Sequence, residues 1–274
     1  MEKLYQVKAK ILSNQKLTPL CYRIRLRAPQ ISKEAKPGQF IHCRCSPKKG
    51  RGQAPPLLRR PFSIHRTKDG TLDILYKVIG KGTQVLSRKK VGEYLDILGP
   101  LGNGYKINKR KRALLVAGGT GIASLVFLAQ RLSSLNSKPR AVFIGAKRKE
   151  ELLCVEDFKK LGYQVQVSTD DGSSGFKGLV TDLLKKQLSS RHSGRAKNPG
   201  SNSLICASGP GVMLKKVAQI SKKYKISCQV SLEENMGCGI GACMGCVTKI
   251  KPQGYKRVCA DGPVFNADEV TGWI

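Results

Sequence analysis

Acidic residues are scarce in this chain. Its 274 residues include 18 Asp and Glu against 50 Lys and Arg, a formal net charge of +32 at pH 7. Such a charge attracts nucleic acids and anionic surfaces without sequence preference. The cations are spread along the chain, and no zinc finger, RNA-recognition motif or aromatic platform accompanies them. We expect no specific nucleic-acid partner; a basic nucleic-acid-binding protein with a structural metal is the alternative from another class.

Histidines and long apolar runs are also few. His42, His65 and His192 do not form a ligand set, so the sequence assigns them no chemistry. The N-terminus has no apolar segment typical of a secretory signal, and we expect a cytoplasmic location. The longest uncharged stretch runs from 113 to 130, but its centre is glycine-rich and reads as a turn between a buried strand and a helix. We therefore expect no membrane span.

Cysteines are numerous, and four of the ten form a pattern near the C-terminus. Cys238, Cys243, Cys246 and Cys259 follow the spacing C-x4-C-x2-C, then twelve residues, then C. This is the spacing of plant-type [2Fe–2S] ferredoxins. The surrounding sequence, MGCGIGACMGC, supplies glycines that let the backbone wrap tightly and direct N–H groups at sulfur. A zinc site more often shows two CxxC pairs. The pattern predicts a [2Fe–2S] cluster.

Two regions with different periodicity precede this segment. Residues 1–100 contain short β-rich runs separated by turn residues, which predict a six-stranded antiparallel barrel. Residues 105–228 alternate strand-like and helix-like runs, including one predicted helix over 150–161, and this order indicates βαβ units around a parallel sheet. The predicted fold class is thus a β-barrel followed by an α/β domain and a small cluster segment. The predicted boundaries are 1–103, 104–228 and 229–274.

Two glycine-containing motifs are typical of nucleotide cofactors. Arg60-Pro61-Phe62-Ser63 is followed by YKVIGKGT at 76–83, whose glycine-rich end resembles a phosphate cradle. An arginine can bind a pyrophosphate bidentately, and a serine hydroxyl can reach a flavin ring nitrogen. The run GGTGIA at 118–123 follows a strand and opens a helix, as a dinucleotide-binding loop requires. Ala207-Ser208-Gly209-Pro210 ends a later strand.

Taken together, these motifs resemble the ferredoxin–NADP reductase superfamily. The segments LEENMGCGIGACMGC and YKRVCADGPVF narrow the resemblance to the electron-transfer subunits of NAD-dependent (class B) dihydroorotate dehydrogenase, over essentially the whole chain. The resemblance implies an FAD-binding barrel, an NAD-binding α/β domain and a C-terminal [2Fe–2S] loop. The superfamily usually has Cys where this chain has Ser208 and Pro where it has Ser124.

The resemblance also implies roles for individual residues. The cluster ligands would be the four cysteines of the C-terminal pattern. The implied FAD contacts are Arg60, Pro61, Phe62, Ser63, Leu75, Tyr76, Lys77, Gly82 and Thr83. The implied NAD contacts are Gly118, Gly119, Thr120, Gly121, Gly209 and Pro210. No residue of this chain is expected to be catalytic, because the cofactors carry the electrons.

The implied function is electron transfer in de novo pyrimidine (UMP) biosynthesis. An FMN-containing catalytic subunit would oxidise dihydroorotate, and electrons would pass through [2Fe–2S] and FAD to NAD+, in a heterotetramer with two copies of each chain. The residues themselves do not mark NAD over NADP, since Lys147-Arg148-Lys149 follows the strand over 141–145 and no acidic residue is placed for a ribose 2′-hydroxyl. The family favours NAD.

Related flavin and iron–sulfur reductases are the alternatives within the enzyme class. They are the small subunit of an NADH-dependent ferredoxin:NADP oxidoreductase and a hydrogenase γ subunit. Chains of the first type can replace one cluster cysteine with aspartate. All four positions are cysteine here, which favours the pyrimidine role.

Overall fold

The structure, a computed structural model, describes residues 3–45, 57–135, 141–192, 202–252 and 254–273. The chain divides into two compact units, each assembled from separate segments. The first unit consists of Met1–Gly104, Glu234–Val247 and Arg257–Pro263. The second consists of Tyr105–Glu233, Thr248–Lys256 and Val264–Ile274. All four cysteines of the predicted cluster therefore belong to the first unit.

The N-terminal part of the first unit is a closed antiparallel barrel, as predicted. Its elements in chain order are β1 (Tyr5–Lys16), β2 (Cys21–Arg27), α1 (Pro29–Glu34), β3 (Phe40–Arg44), β4 (Arg60–Lys68), β5 (Thr71–Lys77), α2 (Lys81–Ser87) and β6 (Tyr94–Leu101). The strand order around the barrel is β1-β2-β5-β4-β3-β6. Closure pairs every strand on both sides and leaves no free edge among these six.

Alternation of side chains explains why these runs form a barrel. On β2, Ile24 and Leu26 are fully buried, whereas Arg25 and Arg27 face outward. Ile24 lies opposite Ile74 of β5, which is also fully buried. Successive strand residues point to opposite faces, so the β-branched positions fill the barrel and the arginines meet solvent.

Helix α2 is tied to the barrel through one side chain of β1. The Nδ2 atom of Asn14 donates to the backbone carbonyls of Leu86 and Lys89, both at 3.0 Å, at the C-terminal end of α2. The Oδ1 atom of Asn14 accepts a 3.0 Å hydrogen bond from the Tyr76 hydroxyl of β5. Asn14 therefore fixes this helix relative to the strand that carries Tyr76.

The second unit contains a mostly parallel sheet flanked by helices. The remaining elements are β7 (Arg112–Gly118), α3 (Ile122–Ser134), β8 (Ala141–Ala146), α4 (Val155–Lys160), β9 (Gln164–Thr169), β10 (Phe176–Lys177), α5 (Val180–His192), β11 (Ser203–Ser208), α6 (Gly211–Lys223), β12 (Ser227–Ser231), β13 (Val247–Lys249), β14 (Tyr255–Arg257) and β15 (Val264–Asn266). Among the described residues, the sheet order is β10-β9-β8-β7-β11-β12-β15, and β13 pairs with β14 separately. The predicted βαβ alternation is confirmed.

Two features of the second unit differ from what the sequence predicts. The predicted helix over 150–161 is wrong as one element: a short 3-10 turn over 149–151 precedes α4, and Cys154 between them has a left-handed φ of 58°. A left-handed residue cannot continue a right-handed helix. Strand β12 spans the predicted boundary at 228, and β15 pairs antiparallel with it from the C-terminal segment. The three-part division remains a prediction.

None of the described helices combines the length and the apolar composition that a membrane crossing requires. The uncharged stretch over 113–130 is divided between strand β7 and helix α3.

Candidate functional site

The four cysteines lie in two segments of the first unit, and backbone N–H groups point at their sulfur atoms. The amide of Cys243 donates to the Sγ of Cys238 at 3.4 Å. The amide of Cys259 donates to the Sγ of Cys246, also at 3.4 Å. Cys246 and Cys259 are almost fully buried, whereas Cys243 is exposed. All four are free thiols, a donor set of the kind that holds a [2Fe–2S] cluster.

The loop backbone favours a thiolate at Cys238. Desolvation alone would raise the pKa of this thiol. Hydrogen bonds from the backbone of Cys243 and Ile240 outweigh desolvation, with a smaller contribution from Ala242, and lower the pKa to about 6. Burial instead raises the pKa of Cys259 to about 12, helped by its hydrogen bond with Cys246. A bound metal supplies the positive charge that such a buried thiolate needs.

Arg257 lies in the segment that carries Cys259 and stabilises the cluster loop, which comprises residues 236–246. Its guanidinium forms a bidentate ion pair with Asp261, with two N–H to oxygen distances of 3.0 Å. The same guanidinium donates through Nη1 to the backbone carbonyl of Gly241 at 3.2 Å. Asp261 thus orients Arg257, and Arg257 holds the loop between Cys238 and Cys243 next to the segment that carries Cys259. The sequence did not predict this brace.

Asn103, which follows β6, fixes the second cysteine segment to the barrel. Its Nδ2 donates to the backbone carbonyls of Ala260 at 2.9 Å and Asp261 at 3.3 Å. Gly102 allows this approach, because a Cβ at that position would lie 2.6 Å from the carbonyl oxygen of Gly262. The end of a barrel strand therefore determines where Cys259 lies.

The predicted flavin residues lie on two faces of the barrel sheet. On β4 and β5, Phe62 and Tyr76 make an edge-to-face contact with ring centroids 5.9 Å apart. Tyr76 also stacks on Tyr22 at 5.7 Å. Ser63 and Pro61 alternate with Phe62 along β4, so they point to the opposite face. Leu75 likewise points away from Tyr76. The structure brings Phe62 and Tyr76 together and separates them from Ser63.

The proposed phosphate contacts meet at the first turn of α2. A Cβ on Gly82 would lie 3.4 Å from the Cγ of Arg60, which places the arginine side chain along this turn. The Thr83 hydroxyl accepts hydrogen bonds from the backbone N–H groups of Ile79 at 3.0 Å and Gly80 at 3.2 Å. That hydroxyl is therefore engaged in the turn itself. The backbone N–H groups of the first turn and the Arg60 guanidinium are the groups that suit a phosphate.

The predicted nicotinamide-nucleotide loops meet at the carboxyl ends of two adjacent parallel strands. From β7 the chain proceeds to β8 on one side, whereas β11 and β12 lie on the other side, so β7 and β11 flank the switch point of the sheet. Open α/β sheets bind ligands at this point. A Cβ on Gly121 would lie 2.5 Å from the backbone nitrogen of Gly209, so the two loops are in direct contact.

The loops after β8 and β9 carry the candidate groups for the adenosine ribose. The Ser173 hydroxyl donates to the Asp171 carboxylate at 2.6 Å, and the Ser173 amide donates to it at 2.9 Å. These hydrogen bonds lower the pKa of Asp171. The backbone N–H of Lys149 donates to the Ser173 hydroxyl at 2.8 Å. Asp171 is thus engaged within the turn, while Lys147, Arg148 and Lys149 follow β8.

The fold and these sites define a class: a flavin-reductase-like barrel, a nucleotide-binding α/β unit and four free cysteines in two nearby segments, the parts of an iron–sulfur oxidoreductase. The family profile "Oxidoreductase NAD-binding domain" matches residues 115–219. The profile "Iron-sulfur cluster binding domain of dihydroorotate dehydrogenase B" matches residues 233–271.

Curated relatives identify the particular family. The "Dihydroorotate dehydrogenase B (NAD(+)), electron transfer subunit" of Desulforamulus reducens is 39% identical over 268 residues, covering 96% of this chain and 97% of the relative. The protein of the same name from Caldanaerobacter subterraneus subsp. tengcongensis is 40% identical and covers 97% and 98%. The chain belongs to the family of dihydroorotate dehydrogenase B electron transfer subunits.

Solved structures agree with the fold. A structure described as the NADH-dependent reduced ferredoxin-NADP oxidoreductase, studied for flavin-based electron bifurcation, matches with a TM-score of 0.83 and 33% identity, over 97% of this chain and 90% of that chain. A ferredoxin NADP+ reductase from Neisseria gonorrhoeae matches with a TM-score of 0.64 at 17% identity, over 83% and 99%, and supports the fold alone.

We predict that Asp261→Asn loosens the cluster loop, because Arg257 loses the carboxylate that orients it towards Gly241. An exposed ion pair contributes little, so iron release to a chelator should accelerate by at most about fivefold. Glu269→Gln is the matched control, since Glu269 forms a similarly exposed pair with Lys256. An unchanged rate for Asp261→Asn, or an equal change in both variants, would contradict the bracing role.

We predict that Gly121→Ala weakens NADH binding, because its methyl group would collide with the backbone of Ser208 and Gly209. Overpacking costs about 1–3 kcal/mol, so the KM for NADH with ferricyanide as acceptor should rise roughly 10- to 100-fold. FAD and iron contents should stay unchanged. Gly162→Ala is the control: its φ of +75° strains an alanine, but a Cβ there meets no described atom within 4 Å, so backbone strain without a collision should leave the KM unchanged. Equal KM values in both variants would remove Gly121 from the nucleotide site.

Proposed function

We propose that this chain is the electron transfer subunit of an NAD+-linked dihydroorotate dehydrogenase of de novo pyrimidine (UMP) biosynthesis. It receives electrons from an FMN-containing catalytic subunit that oxidises dihydroorotate, and it delivers them through [2Fe–2S] and FAD to NAD+. The proposal rests on one observation: the strand with the flavin motif and the four cysteines belong to the same compact unit. A relay between flavin and cluster requires the two cofactors to lie close together, and the compact first unit contains the proposed residues for both.

The residues of this chain bind and position the cofactors. When bound, the cluster carries single electrons and FAD exchanges a hydride with the nicotinamide. We assign Arg60, Gly82 and Thr83 to the FAD phosphates, and Pro61, Phe62 and Ser63 to the remainder of the flavin motif. Leu75, Tyr76 and Lys77 form the β5 part of the FAD site. The four cysteines hold the iron atoms.

We assign the second unit to the nicotinamide nucleotide. Gly118, Gly119, Thr120 and Gly121 lie at the carboxyl end of β7, and Gly209 and Pro210 follow β11. The two loops meet at the switch point of the sheet, and the backbone N–H groups at the start of a helix there suit a pyrophosphate. We follow the family in choosing NAD over NADP, although the cations after β8 are compatible with a 2′-phosphate.

The exposed edge of the cluster loop is the proposed contact for the catalytic subunit. Cys243 is exposed, and the apolar neighbours Ile240 and Met244 expose 52% and 53% of their surfaces. Apolar side chains beside a redox centre suit a protein contact, where burial removes them from water and shortens the path for electrons. The surplus of positive charge suits an acidic partner. We propose a cytoplasmic heterotetramer with two copies of each chain.

A second candidate function is the small subunit of an NADH-dependent ferredoxin:NADP oxidoreductase. The 33% identity to the solved structure of such an enzyme favours it. The higher identity to dihydroorotate dehydrogenase B subunits and the four intact cysteines favour the pyrimidine role. Dihydroorotate oxidation by the co-purified complex separates the two, because the second candidate, as its name states, uses NADH, reduced ferredoxin and NADP instead.

We predict that Arg60→Ala weakens FAD binding, because the pyrophosphate loses a charge-assisted hydrogen bond of about 1.5–3 kcal/mol. The dissociation constant of FAD should rise roughly 10- to 100-fold, as measured by flavin fluorescence on dilution. Arg60→Lys should recover only part of the affinity, since lysine lacks the planar fork. Arg27→Ala, which removes an exposed arginine of β2, is the control. Wild-type affinity in Arg60→Ala would show that the assignment is incorrect.

We predict that this chain alone, loaded with FAD and iron, passes electrons from NADH to ferricyanide but does not oxidise dihydroorotate. Adding the FMN-containing subunit should couple dihydroorotate oxidation to NADH formation, because only the pair contains both sites. Cys243→Ser should abolish the coupled reaction while the NADH–ferricyanide reaction continues. Dihydroorotate oxidation by this chain alone, or no coupled activity from the fully loaded pair, would refute the relay.

Charge substitutions test where the partner binds. Ile240→Glu should weaken assembly with the catalytic subunit, as measured by gel filtration and the coupled rate. Val91→Glu is the matched control, because Val91 is 67% exposed and belongs to the same unit outside the cluster loop. The association rate of the wild-type pair should fall with salt. Equal assembly of both variants would exclude the cluster loop as the contact.

A further inference from the structure

His42 of β3 is buried although it lies on the outer face of the barrel strand. It pairs with Pro61 of β4 across the sheet, and opposed residues share a face. Pro61 and Ser63 alternate with Phe62, so His42 lies on the face of Ser63 and not on the face of Phe62. An outward residue of a barrel normally meets solvent. His42 nevertheless has no exposed surface, so another segment of the chain must cover it.

The covering segment is the cluster loop. A Cβ on Gly239 would lie 2.6 Å from the Nδ1 of His42 and 3.2 Å from its Cγ and Cε1, so the loop backbone lies directly on the imidazole ring. Gly239 has a φ of +76°, which side chains other than glycine adopt with strain. Both residues belong to the first unit. The contact joins the flavin-motif face of the barrel to the residue that follows Cys238.

The imidazole of His42 has two ring nitrogens that lack hydrogen-bond partners among the described residues. Neither Nδ1 nor Nε2 of His42 makes a well-formed hydrogen bond to any described residue. The backbone of Cys238 is close enough to favour a proton on the ring, so the nearby group is its carbonyl oxygen, an acceptor. Desolvation is the larger influence, and with Arg59 and Arg60 it lowers the pKa of His42. A neutral ring still has one N–H donor.

Burial of an unsatisfied polar ring is unfavourable compared with a leucine of similar size. If His42 only filled space between the loop and the barrel, an apolar side chain would do so at lower cost. The position therefore suits a polar role directed at the loop. Its other neighbours include Arg59, whose Nη1 donates to the His42 carbonyl at 3.4 Å and whose Nη2 forms an ion pair with Asp96 at 2.8 Å. These contacts hold the His42 backbone in place.

We propose that His42 is a positioning residue for the iron–sulfur centre: its ring N–H engages the Cys238 carbonyl and holds the Cys238–Gly239 turn against the Ser63 face of the barrel. This inference rests on the proposed function, since it assumes that the four cysteines hold the cluster. The ring thereby sets the environment of the cluster and its separation from the flavin site. Hydrogen bonds to the residues that hold a metal centre orient those ligands and tune reduction potentials.

The first test replaces the ring while keeping its volume. In the FAD- and iron-loaded chain, His42→Leu should accelerate iron release to a chelator about tenfold and increase deuterium exchange of the amides over 236–246. The reduction equilibrium of the cluster, followed by electron paramagnetic resonance, should change about tenfold, or 59 mV for a one-electron couple. His42→Asn keeps a donor near the Nδ1 position and should restore part of each effect.

The control is His65→Leu, which removes another fully buried histidine of the same barrel, on β4. It should leave iron release, exchange over 236–246 and the cluster potential at wild-type values. If His42→Leu matches wild type in all three measurements, or if His65→Leu produces the same changes, the positioning role is overturned.

A double-mutant cycle covers the case in which His42→Leu fails to fold. Gly239→Ala should accelerate iron release in the wild-type background, because its methyl group meets the imidazole. In the His42→Ala background the same change should have a smaller effect, since only backbone strain remains. Additive effects would contradict direct contact. Failure of the proposed function gives a different result: iron binds and responds to His42, but the loaded pair does not oxidise dihydroorotate.

Discussion

The four cysteine sulfurs can share one iron–sulfur centre, as we propose, only if their negative charge is compensated, and the proposed function depends on that compensation. Like charges a few ångströms apart repel strongly in a partly dry site. Backbone N–H groups of the loop after Cys238 point at sulfur and offset part of this repulsion. Iron supplies the remainder in the loaded protein. The loop must therefore keep one conformation, which isolated glycine-rich sequence does not do.

Tertiary contacts supply that conformation from several directions. Arg257, oriented by Asp261, holds the Gly241 carbonyl, and Asn103 fixes the segment around Ala260. His42 lies beneath Gly239. Each contact comes from a residue distant in sequence, so the cluster loop is rigid only in the folded first unit. The same arrangement leaves Cys243 and its apolar neighbours exposed, which is what a relay to a second protein requires.

The first unit contains the residues proposed for electron transfer through FAD and the cluster, and the second contains those proposed to bind the nicotinamide nucleotide. The first unit contains the flavin motif and the cysteines, while the switch point of the parallel sheet in the second unit contains the glycine loops. The family assignment gives this division its direction, from dihydroorotate towards NAD+. Only a few of the 50 Lys and Arg residues, such as Arg60, belong to the proposed cofactor sites. Its place in the proposed function is the attraction of an acidic catalytic subunit.

Local patterns in the sequence predicted the main elements of the fold and the candidate cluster residues. Alternation in β1–β6 predicted the barrel, strand–helix alternation predicted the parallel sheet, and cysteine spacing predicted the cluster. These signals are local, because neighbouring residues determine the period of a strand and the spacing of ligands. The predicted helix over 150–161 failed at Cys154, since a left-handed residue has no clear compositional signal outside glycine and asparagine.

Only the tertiary structure decided which distant residues meet. Strand β15 lies within the cysteine-rich segment and is three residues long, too short for a period, yet it completes the sheet beside β12. The sequence assigned no role to His42, because a lone histidine in a strand carries no pattern. Its proposed role depends on Gly239, nearly two hundred residues later, lying on its ring. Contacts between segments so far apart follow from packing of the whole chain, and no local period records them.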